Sequence, residues 1–216
     1  MSETTTLNSK QREEIVAALS KLRIASLLQI IATLIIAASS LSLLGAAFLL
    51  STMEVPIARI GVFIGVFMAI LVGLVMIIVA VYAFLLPSAK QLAKWKPAEF
   101  STASKLLRIG YIWGAAILIL ALLLIIAGAI SINLGTVIGG LAVAIIGGIL
   151  FLLGYIGNIV YFFKLRDTFN STTFLVAAIL LIIGIFIHLL QFIAWILAFI
   201  EARNIEGRIS SGLIQI

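Results

Sequence analysis

His188 is the chain's one histidine, and it stands inside a long apolar run with no acidic neighbour. Gly184, His188, Gln191 and Trp195 are spaced four, three and four apart, so on a helix they share one face. An ionisable side chain at membrane depth is a functional candidate by default. The chemistry open to it is proton or ligand binding, with Gln191 and a partner such as Asn158 or Gln29 from another helix. The competing reading is a neutral imidazole held by one interhelical hydrogen bond. The lack of a second histidine or an intramembrane carboxylate to relay a proton favours the latter.

Catalysis finds no residues elsewhere. Asp167 is the one aspartate and lies between apolar runs, so no aspartate pair exists for intramembrane proteolysis. There are no cysteines, which removes disulfides, thiolate metal sites and thiol redox chemistry. One histidine cannot build a multi-histidine metal or haem site. The glycine-rich stretches lack the lysine and the strand–helix context of phosphate-binding loops. No catalytic, cofactor-binding or metal-ligating residue is expected, and the reading is that of a protein that is not an enzyme.

The elements that hold these residues follow from composition. Of the 216 residues, 64% are hydrophobic and 10% charged. A soluble domain is about 45–50% apolar and about 25% charged. The surplus apolar surface must face lipid. Five runs carry it, at 24–50, 60–86, 109–130, 137–163 and 173–200, each holding 20 or more residues free of Asp, Glu, Lys and Arg. About 20 helical residues cross a 30 Å hydrocarbon core. Barrel strands would alternate polar and apolar residues, and Ile117 to Ile126 do not. The fold class is therefore all-α: a polytopic membrane helix bundle of about five spans.

The net charge of +6 points to topology rather than nucleic acid, because the cations lie between the runs. Eleven Lys and Arg fall on one side, in 1–23, the second loop and the fourth loop, against Arg59, Arg203 and Arg208 on the other. The expectation is a multi-pass plasma-membrane protein, with segment 1–23 cytoplasmic and the tail 201–216 outside. Run one is too long for a signal core and reads as an uncleaved anchor, the weak cleavage-like stretch Ala37-Ala38-Ser39-Ser40 notwithstanding. Asn8 and Gln11 fit a capping box, and Ile15, Leu19 and Leu22 mark one face of an amphipathic extension on or beyond the membrane surface. In the second loop, Pro87 to Ser104, Leu92 and Trp95 dip into the interface while Lys90, Lys94 and Lys96 stay wet. Those cations can anchor topology or bind anionic lipid. Tyr82, Trp95, Tyr111, Trp113 and Tyr161 form an aromatic belt at this boundary, with Trp195 toward the opposite one.

Helix contacts are read from small residues. Gly61, Gly65, Ala69 and Gly73 recur every four positions, as do Gly140, Ala144 and Gly148. Gly140, Gly147 and Gly154 recur every seven, and Gly110 and Gly114 open run three. Such faces let backbones approach closely, within the chain or against a neighbour. Ser26, Gln29, Thr33 and Ser40 form a polar stripe on run one, expected to bond across helices. Ser20-Lys21-Leu22-Arg23-Ile24-Ala25 resembles Ser104-Lys105-Leu106-Leu107-Arg108-Ile109-Gly110. This reads as a parallel two-helix repeat, or as juxtamembrane chemistry arrived at twice.

Ser20-Lys21-Leu22-Arg23, the loop Phe163-Lys164-Leu165-Arg166-Asp167-Thr168-Phe169-Asn170-Ser171 and the ending Trp195-Ile196-Leu197-Ala198-Phe199-Ile200 together resemble an archaeal family of multi-span membrane proteins, a domain of unknown function common in thermoacidophilic archaea. Arg166 and Phe169 depart from that family's pattern. The resemblance implies an archaeal plasma membrane and brings no assigned site. The expected function is a non-enzymatic scaffold or assembly component, contacting membrane lipids and forming a homo-oligomer or larger membrane complex. The alternative is a small transporter or channel for an apolar or weakly polar solute, using the stripe around His188.

Overall fold

The computed structural model describes residues 9–50 and 56–212, without the side chains of 43, 44, 46–50 and 56–63. Every element among the described residues is a helix. In order they are α1 (Ser9–Leu50), α2 (Pro56–Val79), a π-helical segment Ala80–Leu85, α3 (Leu86–Trp95), α4 (Pro97–Arg108), a second π segment Ile109–Trp113, α5 (Gly114–Ile130), α6 (Leu134–Phe169), α7 (Thr172–Gly184) and α8 (His188–Ser210). Four stretches of 32 to 36 residues, Ser9–Ser42, Ile64–Trp95, Pro97–Ile130 and Leu134–Phe169, are long and apolar enough to cross a membrane. Each exceeds the roughly 20 residues a span needs, a surplus that permits tilt or projection beyond the lipid. The protein is an all-helical membrane bundle.

The fifth run, 173–200, is not one span. α7 stops at Gly184, Ile185 to Ile187 form a turn, and α8 folds back along α7. The approach is so close that a Cβ on Gly184 would lie 2.9 Å from the Gln191 backbone nitrogen. The Tyr155 hydroxyl donates to Leu181 O at 2.7 Å, which satisfies one of the last-turn carbonyls that a continued helix would have bonded. α8 then runs antiparallel to α1. Phe199 and Arg203 lie beside Ile24 and Leu27, Glu206 pairs with Arg23 at 2.9 Å, and Ile209 reaches Arg12 and Val16. The described C-terminal end therefore lies beside the described N-terminal end, where five continuous helices would have separated them: Gly212 sits next to Arg12. With Arg203 and Arg208 moved to that end, thirteen of the fourteen Lys and Arg share it and Arg59 stands alone.

The core lies almost entirely at this basic end. Ile15, Leu19 and Leu22 are fully buried against α3 and α8, so the N-terminal segment is packed rather than laid on a membrane surface. Asn8, its expected cap, lies outside the described residues. Leu92, expected at the lipid interface, is also core. Phe162 is the hub of an aromatic cluster, edge-on to Trp195 at 5.6 Å and tilted on Phe174 at 5.8 Å. Trp195 therefore sits inside the bundle and not at a far boundary, a direct consequence of the fold-back. Tyr161 and Tyr111 are likewise buried instead of belting the interface.

Three helices are clipped together in that core. Ser88 Oγ donates to Ala18 O at 2.7 Å, and having spent its one proton it accepts from the Tyr161 hydroxyl at 2.8 Å. Tyr161→Phe removes only a donor and is expected to cost about 1 kcal/mol. Ser88→Ala strands the buried phenol and should cost more, about 1–3 kcal/mol. Thermal unfolding in detergent checks the order, and the reverse ranking refutes the assigned direction of donation.

Pro87 does not end the second rod, which runs on to Trp95 and turns only at Lys96. Proline lacks an N–H and crowds the carbonyl four residues back. The preceding π segment shifts the register, with the Leu86 N–H bonded to Val81 O five residues back. At the far end the bundle splits. α1 with α2, and α5 with α6, form two antiparallel hairpins, and neither α1 nor α2 makes more than marginal contact with α5 or α6.

Candidate functional site

Most of the glycines singled out on runs three and four meet in the α5–α6 seam. A Cβ on Gly110 would fall 2.0 Å from Gly154 N, one on Gly114 2.8 Å from Phe151 N, and one on Gly154 2.9 Å from Tyr111 N. Gly140 and Gly147 press on Ile125 and Leu118. Gly128 and Gly157 belong to the same seam, facing Val137 N at 2.7 Å and Leu107 N at 2.6 Å, and isolated spacing gave no sign of them. Gly73 meets Ile36 of α1. Gly65 and Gly148 meet nothing within 4 Å, and Ala69 and Ala144 are half-buried. The surroundings of Gly61 lie outside the described residues. On α6 the seven-residue series is thus the contact face, and the four-residue series leaves that face after Gly140. Each four-residue step rotates about 40° around a helix, so Gly148 has drifted about 80° from Gly140, whereas a seven-residue step drifts only about 20°.

His188 and Gln191 do come together. His188 opens α8 at the tip of the α7–α8 hairpin, exposed, and Gln191 stands one turn on, half-buried. With Gly148, Leu152, Tyr155 and Gly184 they line a crevice of about 260 Å³ level with the middle of α6. Asn158 and Gln29 do not line it. Asn158 is 1% exposed, and neither atom of its amide has a hydrogen-bond partner among the described residues; the same holds for Trp195 Nε1. Asn158 lies one turn from Phe162, which contacts Trp195, so these orphaned groups belong to the core and not to the histidine's crevice. Three of the four residues of the expected polar stripe on α1 bond within their own helix. Ser26, Thr33 and Ser40 donate to Leu22 O, Gln29 O and Ile36 O of their own helix at 2.8–2.9 Å. The carbonyl four residues back is simply the nearest acceptor.

Of the expected lipid-interface residues, Lys90 and Lys94 are exposed. Trp95 stacks on Phe169 with ring centres 6.2 Å apart, and Lys96 Nζ lies over its ring at 4.8 Å. A cation over an aromatic face is held by the ring quadrupole, so Lys96 is partly committed to protein. Lys164 pairs with Glu99 at 3.2 Å.

The feature with no forewarning in residue spacing is a clasp between the two π segments. The Tyr82 hydroxyl, on the first, donates to Tyr111 O, on the second, at 2.5 Å. π segments free backbone carbonyls and recur at functional sites. Here they fall opposite each other where the second and third rods begin to part. The tyrosines are visible in the sequence, but the register shift that frees the carbonyl is not.

No curated protein and no solved structure matches the chain. The family model described as protein of unknown function, DUF973, matches residues 15–216, nearly the whole length, and the chain belongs to that family.

Proposed function

We propose that this chain is a non-enzymatic scaffold or assembly subunit of a plasma membrane, archaeal by its sequence resemblance, which works by offering helix faces to neighbouring helices. The observation that carries this reading is the unfinished packing of the far end. Buried residues make up 28% of the most apolar stretch of α1 and 17% of that of each other spanning rod. Gly65, Gly139 and Gly148 have no neighbour within 4 Å of an added Cβ. Glycine costs a helix about 1 kcal/mol relative to alanine, and against lipid it brings no compensating contact. The turn Ile185–Ile187 is also uncovered, with Phe186 84% exposed. Non-helical backbone at membrane depth is tolerated only where protein buries it or water reaches it. A partner helix supplies the first. The basic end, with both described termini, is assigned to the cytoplasm on the charge asymmetry.

The second reading, a small transporter or channel, rests on the same turn: water reaching it would place His188 and Gln191 on a solute path. One set of measurements separates the two. The chain has no native cysteine, so single-cysteine variants report cleanly. The scaffold reading expects oligomers or co-purified membrane proteins by native mass spectrometry, crosslinking through Gly65→Cys, and protection of Phe186→Cys from water-soluble maleimide. A strict monomer that labels fully at Phe186→Cys overturns it in favour of a water-filled path.

A further inference from the structure

We propose that the groove between the second and third rods is a binding site for one anionic membrane lipid, its apolar chain in the upper cleft and its phosphate-bearing headgroup on Lys90 and Arg108. Two cavities meet at Tyr82. The upper one, about 250 Å³, lies between α2 and α5 and is walled by side chains such as Ile78, Val81, Leu118 and Phe151. Two tyrosines, Tyr82 and Tyr111, also border it, but the Tyr82 hydroxyl is already given to Tyr111 O and the wall that faces the cavity is carbon, as an apolar chain requires. The lower one, about 420 Å³, is lined by Lys90, Ser104 and Arg108 beside Leu86, Pro87 and Ile112.

The residues run in register along both rods. Ile78, Tyr82, Leu86 and Lys90 follow at steps of four on one side. Ser104, Arg108 and Ile112 do the same on the other, antiparallel to it. From Ile78 to Lys90 the groove extends about 18 Å at 1.5 Å per residue. It is apolar toward mid-membrane and cationic at the basic end, the polarity profile of a lipid lying in its own leaflet. The charge is uncommitted. Lys90 and Arg108 are exposed, and neither they nor Ser104 form an ion pair or side-chain hydrogen bond among the described residues, whereas the nearest carboxylate on these rods, Glu99, is held by Lys164. Basic pockets between spanning helices on the cytoplasmic side hold phosphate headgroups in this way. The cleft stays open because α2 and α5 diverge above the Tyr82–Tyr111 clasp, while α3 and α4 pack below it.

The test is native mass spectrometry of the full chain in detergent, titrated with phosphatidylglycerol and, in parallel, with phosphatidylcholine carrying the same acyl chains. One phosphatidylglycerol per chain is expected to be retained with at least a roughly tenfold preference, since each cation near an anionic surface contributes about as much as a fivefold gain. The pair Lys90→Gln with Arg108→Gln should lose that preference. The pair Lys94→Gln with Lys105→Gln, equal in charge change and also exposed, should keep it. Equal retention of the two lipids by the unaltered chain overturns the site outright, as does equal loss in both variant pairs. Displacement of the lipid by millimolar inorganic phosphate would assign the cations to a free anion, and a second copy of the chain in the groove would assign it to assembly.

Discussion

Gly110→Ala is expected to destabilise the folded chain by about 3 kcal/mol or more, the upper range of overpacking. The added methyl would stand 2.0 Å from Gly154 N, and the atoms around it are backbone: Gly154 Cα at 2.3 Å and Leu150 O at 2.8 Å. A side chain in the way can rotate, but a helix backbone must translate as a unit. Moving α6 by the ångström or more that a methyl requires would also disturb the contacts at Gly114, Gly154 and Gly157, which belong to the same seam. Gly207→Ala is the matched control, exposed on α8 outside the seam with nothing within 4 Å. It should be neutral or gain up to about 1 kcal/mol from helix propensity. Thermal unfolding in detergent should separate the two variants by roughly 6–12 °C. Equal melting temperatures would mean that the seam is looser than these distances state.

The second large effect is all-or-none. In oriented vesicles an impermeant maleimide is expected to treat Lys10→Cys and Ser211→Cys alike, labelling both or neither, and to treat Ser131→Cys in the opposite way. All three positions are exposed. Ser131 lies in the turn between α5 and α6 at the far end, while Ser211 closes α8 beside Arg12. A continuous fifth span over 173–200 would group Ser211 with Ser131 instead. The ion pair Arg23–Glu206 and the hydrogen bond from Ser171 Oγ to Glu201 at 2.6 Å both tie α8 to the basic end, so the fold-back is anchored along its length. The assignment also agrees with the charge rule better than the linear topology did, since Arg203 and Arg208 no longer count against it.

What the sequence determined by itself was where the long helices run. Long charge-free runs can only be helices in lipid, and the rods at 24–50, 60–86, 109–130 and 137–163 all lie within helices of the structure. Two helix starts rest on local chemistry that was not among the sequence expectations: the Asn133 side chain accepts from Thr136 N at 3.2 Å and the Ser171 hydroxyl from Phe174 N at 3.3 Å. The seven-residue glycine series was a true contact face because helical rotation is a local property.

Three features were decided only by tertiary structure. The turn at Ile185–Ile187 has no proline and no charge to mark it, and in lipid an isoleucine-rich run satisfies its backbone equally well as one helix. What breaks it is support from elsewhere, the Tyr155 hydroxyl on Leu181 O and the glycine that lets α8 return. The companions of His188 depended on that turn, which left Gln191 beside it and sent Asn158 into the core. Lys90 and Arg108 stand 18 residues apart in the chain, in what read as topological anchors. They become neighbours only because α3 and α4 pack at Lys96 while the two π segments, joined through Tyr82 and Tyr111, hold open the cleft above them.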